Sequence, residues 1–115
     1  NHREKVYPDL VLMPTLNDIH QDHETISKEG LRAFKNTTIL GYELIWNNLR
    51  FNTTSYVELS ESNMKRKINA LKEYKSQAKK NYFNPDFIRS LAKTRGIQFG
   101  TTYAECFEVI RWRIK

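Results

Sequence analysis

The chain has 115 residues, 39% of them hydrophobic, with 6 Phe, 6 Tyr and 2 Trp. That makes one small domain with enough apolar and aromatic mass for a modest core, and it excludes a disordered chain. The net charge of +6 favours anionic partners, but the basic residues are spread from Arg3 to Lys115 among Glu and Asp, with no zinc-finger or RNP-type pattern, so nucleic acid is not an expected partner.

Residues 9–14 (Asp9-Leu10-Val11-Leu12-Met13-Pro14) read as a short buried strand bounded by Pro8 and Pro14. A continuous apolar run of this kind suits a parallel strand covered on both faces. The loop Thr15-Leu16-Asn17-Asp18 follows. From Gln21 to about Lys35, Ile26, Gly30, Ala33 and Phe34 recur at helical spacing, with Asn36 as terminator. Residues 37–43 are β-branched and apolar and predict a second strand. The Asn-rich stretch from Trp46 to Thr54 has no period and reads as a loop anchored by Trp46 and Phe51. Residues 55–59 alternate and predict a third, half-exposed strand. Ser60 or Ser62 can cap a helix running to about Gln77, with Met64, Ile68 and Leu71 as its stripe. Its densest basic group, Lys65-Arg66-Lys67, reads as a solvated face.

Asn84-Pro85-Asp86 is a helix start: an N-cap, a proline at the first helical position and an acid in the first turn. Phe87, Ile88, Leu91 and Ala92 make its buried face, and Arg95-Gly96 predicts its end. Tyr103 to Ile114 predicts the last strand, with Cys106 as a buried, inert thiol. Arg95 and Glu105 are a candidate structural ion pair. The order β-α-β-loop-β-α-α-β is that of an α/β chain with mixed strand directions, without internal repeat or domain boundary.

The single cysteine excludes an internal disulfide framework and makes a reducing, cytoplasmic compartment the default. No apolar run reaches the length of a membrane span, and no signal peptide is visible. Asn36-Thr37-Thr38 and Asn52-Thr53-Thr54 match the glycosylation pattern, which without a secretory signal is expected by chance. The first residues do not read as a natural start.

Asp18-Ile19-His20-Gln21-Asp22-His23 concentrates two histidines and two carboxylates where a predicted strand hands over to a predicted helix. In α/β proteins ligands bind outside the carboxyl ends of strands. His20 and His23 are three apart and project to one side of a first helical turn. A neutral imidazole is the commonest metal ligand, and Asp18 or Asp22 can orient it. The plainer alternative is a helix N-terminus capped by Asp18 with two exposed histidines. An open zinc site needs three protein ligands. The segment offers two histidines at most plus a carboxylate, and the other histidine is His2. After the second strand, Glu43, Trp46, Asn47 and Asn48 offer an aromatic and amides suited to a sugar ring, although a loop tryptophan is more often a packing anchor.

The string Pro14-Thr15-Leu16-Asn17-Asp18-Ile19-His20-Gln21-Asp22-His23 resembles the second signature motif of the LmbE/PIG-L-like zinc-dependent de-N-acetylases, a His-x-Asp-His that ends a strand and opens a helix. Ala70-Leu71-Lys72-Glu73-Tyr74-Lys75-Ser76-Gln77 is similar to the family's Ala-Leu…Ser-Gln helix end. Arg95-Gly96…Gly100…Tyr103-Ala104-Glu105-Cys106-Phe107-Glu108-Val109-Ile110-Arg111 resembles its closing Arg-Gly…Gly…Tyr-Ala-Glu-Ala-Phe segment. The resemblance implies the C-terminal part of a Rossmann-like three-layer α/β fold with a mostly parallel, mixed sheet, residues 1–115 forming one domain that is the C-terminal half of a larger deacetylase domain. It implies His23 as a zinc ligand. It implies His20, as imidazolium, as the group that polarises the substrate carbonyl, and Asp22 as its partner. The reaction is hydrolysis of the amide of an N-acetylglucosamine-type sugar, in a glycoconjugate or its precursor. Asn17, Asp18, Trp46 and Asn47 would lie toward the substrate. A His/His/Asp site suits Fe2+ as well as Zn2+.

The family's other two ligands and its base come from an early Ala-His-Pro-Asp-Asp-Glu motif. These 115 residues lack it; His2-Arg3-Glu4 has neither its proline nor its paired Asp. The missing N-terminal half is therefore an expected partner, and the chain alone is expected to be inactive. Alone it should expose apolar surface and pair with another copy or with that half. The alternative function is a non-catalytic binding or assembly module that retains half of the fold. An anion binder is a third.

Overall fold

A computed structural model describes residues 7–73 and 83–115. His2 and residues 74–77, which entered the readings above, lie outside them. The elements run β1 (Leu10–Pro14), α1 (Gln21–Ala33), β2 (Thr38–Tyr42), a 3₁₀ turn (Ile45–Asn47), β3 (Ser55–Leu59), α2 (Glu61–Lys72), α3 (Pro85–Phe99) and β4 (Tyr103–Arg111). The chain is α/β, as expected, with one four-stranded mixed sheet in the order β1-β2-β4-β3. β1 and β2 are parallel, and β2 and β4 antiparallel. Two compact units are distinguished: the described residues up to Ser55 with Phe107–Lys115, and Tyr56–Cys106.

In the first unit β1 pairs with β2 from Leu10↔Thr38 to Pro14↔Tyr42. Their carboxyl ends therefore open on the same side, where Thr15 and Glu43 follow. β2 is the buried strand, with Ile39 fully covered and Leu40 nearly so. β1 is not covered on both faces, contrary to expectation. It is the edge strand, and Leu10 and Leu12 are about half exposed while Met13 is buried. Side chains alternate along a strand, so half-buried Val11 and buried Met13 share one face and Leu10 and Leu12 the other; Pro14, at the strand end, is buried as well. The uniform apolar run concealed that division.

The covered face of β1 meets α1. The buried residue of α1 is Ser27; Ile26, expected to face inward, is exposed, and so is Ala33. The reason is polar. Ser27 Oγ donates to the Pro14 carbonyl at 2.6 Å, satisfying a backbone acceptor at the strand end that burial would otherwise leave costly. Gly30 admits the Met13 sulfur, which would stand 2.8 Å from a Cβ there.

In the second unit Ser60, not Ser62, caps α2. It forms a capping box with Asn63, whose N–H donates to Ser60 Oγ at 3.0 Å. Met64 and Ile68 pack against Ile88 and Ala92 of α3, with Leu71 at the margin. Fully burying Met64 alone is worth about 1.5–3 kcal/mol. Asn84 and Pro85 start α3 as predicted, with Asn84 Oδ1 accepting from Asp86 N at 2.7 Å. The helix does not stop at Gly96. It continues to Phe99 and closes on Gly100, whose φ of 86° is the left-handed conformation that favours glycine. Gly96 is buried within the helix, where a Cβ would lie 2.6–2.8 Å from the Thr101 and Thr102 backbone. In place of the expected Arg95–Glu105 pair, Lys67 Nζ donates to Glu105 at 3.1 Å and Arg95 donates to Gln98 at 3.0 Å. Cys106 is buried, as anticipated. Among the described residues no helix is long and apolar enough to cross a membrane.

Candidate functional site

The turn after β1 carries the site in the first unit. Asp18 N donates to Thr15 O at 3.1 Å, and Asp18 bridges Asn48 in antiparallel fashion. Ile19 N donates to Asn47 O at 2.9 Å, which draws the segment after β2 alongside. The Asp18 side chain is fully buried. Its Oδ1 accepts the His20 backbone N–H at 2.8 Å, and its Oδ2 lies 2.9 Å from His23 Nδ1. A buried carboxylate with two donors is satisfied where an unpaired one would be very costly.

The N-cap of α1 is His20, not Asp18. Its extended backbone turns the chain into the helix, and its Nδ1 accepts from Asp22 N at 3.2 Å. The two imidazoles stack, with centroids 4.3 Å apart and planes 24° from parallel. Their hydrogen bonds assign opposite tautomers in the neutral rings. His23 donates through Nδ1 to Asp18, so its Nε2 carries a lone pair; His20 accepts at Nδ1, so its Nε2 carries the proton. The pair thus combines one outward acceptor with one outward donor. Asp22 meets His20 through its backbone N–H and is itself exposed. The carboxylate that holds a histidine ring here is that of Asp18.

Sequence reasoning missed two members of this neighbourhood, Glu108 and Tyr42. Glu108 on β4 is buried and accepts from the Thr15 hydroxyl, from Asn17 Nδ2 at 3.3 Å to each oxygen, and from Asn52 N at 2.8 Å. Asn17, expected near substrate, therefore has its amide nitrogen committed to Glu108. Tyr42 ends β2, and its phenol is held above its ordinary value, by burial first and then by the Asp18 carboxylate. Asn48, one of the amides expected to face a sugar, accepts from Leu44 N at 2.9 Å, and its buried Nδ2 has no hydrogen-bond partner among the described residues. Trp46 is 41% exposed on the 3₁₀ turn, and Asn47 holds Ile19 by its carbonyl. The signal for Glu108 was its spacing: Ala104, Cys106 and Glu108 are two apart and all buried.

A cavity of about 660 Å³ lies elsewhere in the same unit, lined by Tyr7, Phe34, Lys35, Thr38, Arg113 and Lys115 among others. Thr38 opens β2, so this cavity is at the opposite end of the parallel pair from the histidines. Chemistry, not size, selects the histidine cluster.

No protein-family model matches the chain, and no curated protein is significantly similar to it. Among the described residues no group of three or more His, Cys, Asp or Glu side chains converges on a metal position. What the described residues offer a metal is one oriented imidazole nitrogen, His23 Nε2, with its supporting carboxylate. That fits one ligand position of a zinc site.

Proposed function

We propose that this chain is the C-terminal, histidine-bearing part of a zinc-dependent deacetylase, with a Rossmann-like fold completed by an N-terminal half. That half brings the remaining ligands and the base. The enzyme removes the acetyl group from an N-acetylglucosamine-type sugar in the cytoplasm. The observation that carries the reading is the 2.9 Å bond from His23 Nδ1 to the buried Asp18 carboxylate, just past the carboxyl end of a parallel strand. A carboxylate on the far nitrogen is how metal-binding histidines are held. The segment's resemblance to the His-x-Asp-His motif supplies the reaction class.

In this reading His23 Nε2 holds Zn2+, or Fe2+ in its place, and Asp18 fixes the ring. When bound, the metal supplies Lewis acidity and a water of lowered pKa. His20 presents its Nε2–H to the acetyl carbonyl oxygen and stabilises the charge that develops there. Asp22 keeps His20 in that tautomer through its backbone N–H. Trp46 and Asn47 flank the sugar.

The test is metal content and acetate release for the enzyme carrying the full ligand set. His23→Ala should lose the metal. His20→Ala should keep it and lose about 10²–10³ in kcat. Full activity in His20→Ala with metal bound, or a full complement of metal in His23→Ala, overturns the assignment.

A further inference from the structure

Glu108 touches neither histidine, yet it is the group on which the turn leading to them is built. On β4 it stands opposite Gly41 of β2. A Cβ on Gly41 would lie 2.8 Å from the Thr15 Cα, so the missing side chain is what lets the chain leaving β1 cross there. Where it crosses, Glu108 takes the Thr15 hydroxyl and both bonds of the Asn17 amide. Its second oxygen also takes the Asn52 N–H at 2.8 Å, tying in a separate loop. These donors are all neutral. A buried carboxylate satisfied by neutral donors is an expensive way to close a sheet, because an apolar residue would do so without desolvating a charge. It is well suited to holding several donors in one geometry.

We propose that Glu108 is a positioning residue for His23. It acts through Thr15 and Asn17, which bracket the turn that presents Asp18 to the ring. Thr15 O accepts from Asp18 N at 3.1 Å, so fixing Thr15 fixes the carboxylate, and the carboxylate fixes the tautomer of His23. The inference rests on the reading of His23 as the metal-facing histidine. Its test reads the ring itself and not activity, so failure of either claim is seen separately.

The experiment is NMR of the uniformly 15N-labelled protein, at a pH where the rings are neutral, with the His23 signals assigned through His23→Gln. The wild type should show one tautomer, protonated at Nδ1. In Glu108→Gln and in Thr15→Val the two His23 nitrogen signals should move toward each other as tautomers mix. Amide signals of Tyr56–Cys106 should stay in place, and Thr15→Ser should restore the wild-type pattern. Thr15→Val removes only the hydroxyl and decides the matter if Glu108→Gln fails to fold. The proposal is overturned if His23 keeps its single tautomer in Thr15→Val while the Asn17 side-chain amide signals move, since the tie is then broken without consequence.

Discussion

Replacing Asp18 by Asn tests the pairing at the centre of the site with almost no change in volume. The buried carboxylate accepts two bonds, at 2.8 Å from His20 N and at 2.9 Å from His23 Nδ1. An amide has one acceptor oxygen, so one of the two donors must face an NH2 group. If that donor is His23, the ring has to move its proton to Nε2, which removes the lone pair offered to a metal. If it is His20 N–H, a buried donor is left without a partner. Either way one hydrogen bond to a charged group is lost, worth about 1.5–3 kcal/mol. With a urea m-value of about 1–3 kcal/mol/M, the unfolding midpoint should fall by roughly 1 M at unchanged m. Metal affinity of the complete enzyme should fall about 10–100-fold, as for other supporting partners of metal ligands. A midpoint within about 0.2 M of wild type, with affinity unchanged, would refute the argument that Asp18 holds His23.

Gly96→Ala opposes two effects of known size. Alanine gains about 1 kcal/mol of helix propensity, but its Cβ would meet Thr101 and Thr102 backbone atoms at 2.6–2.8 Å. Overpacking against groups that cannot rotate away costs about 1–3 kcal/mol and should prevail, lowering the thermal midpoint; a raised midpoint contradicts the contact. Tyr42 should titrate above the ordinary tyrosine value of about 10 in alkaline difference spectra. Because its folded value is the higher one, its contribution to stability is present below about pH 10 and is lost as pH rises through the folded value. Asp18→Asn should lower that value, and a Tyr42 that titrates at the ordinary position contradicts its burial. Residues 1–115 alone should show no stoichiometric submicromolar zinc binding by calorimetry; binding that tight would place the ligand set within this segment.

The parts of the fold legible in the sequence were those decided locally. Asn84-Pro85-Asp86 started α3 because a cap, a proline and an acid act within one turn. The Met64 and Ile68 stripe held because it is periodic. The inward face of α1 was illegible because Ser27 is drawn in by the Pro14 carbonyl, a partner 13 residues away. The exposure of Leu10 and Leu12 follows from the edge position of β1, which no local pattern states. Within the site the histidines and carboxylates were visible as a cluster, but which acid meets which ring was not. Asp22 adjoins His23 in sequence, yet the tight turn from Thr15 to Asp18 puts the more distant carboxylate on His23. Glu108 was hidden for a related reason, as its bond to Thr15 spans 93 residues.

The central claim, that His23 belongs to a metal-dependent deacetylase, is tested most directly by acetate release from an N-acetylglucosamine glycoconjugate. The enzyme carrying the full ligand set is assayed as prepared, after chelation, and after zinc is restored. Activity should disappear on chelation and return with zinc, and it should not return in His23→Ala. Deacetylation that survives complete removal of the metal, or its absence toward every N-acetyl sugar with zinc bound, would contradict the account.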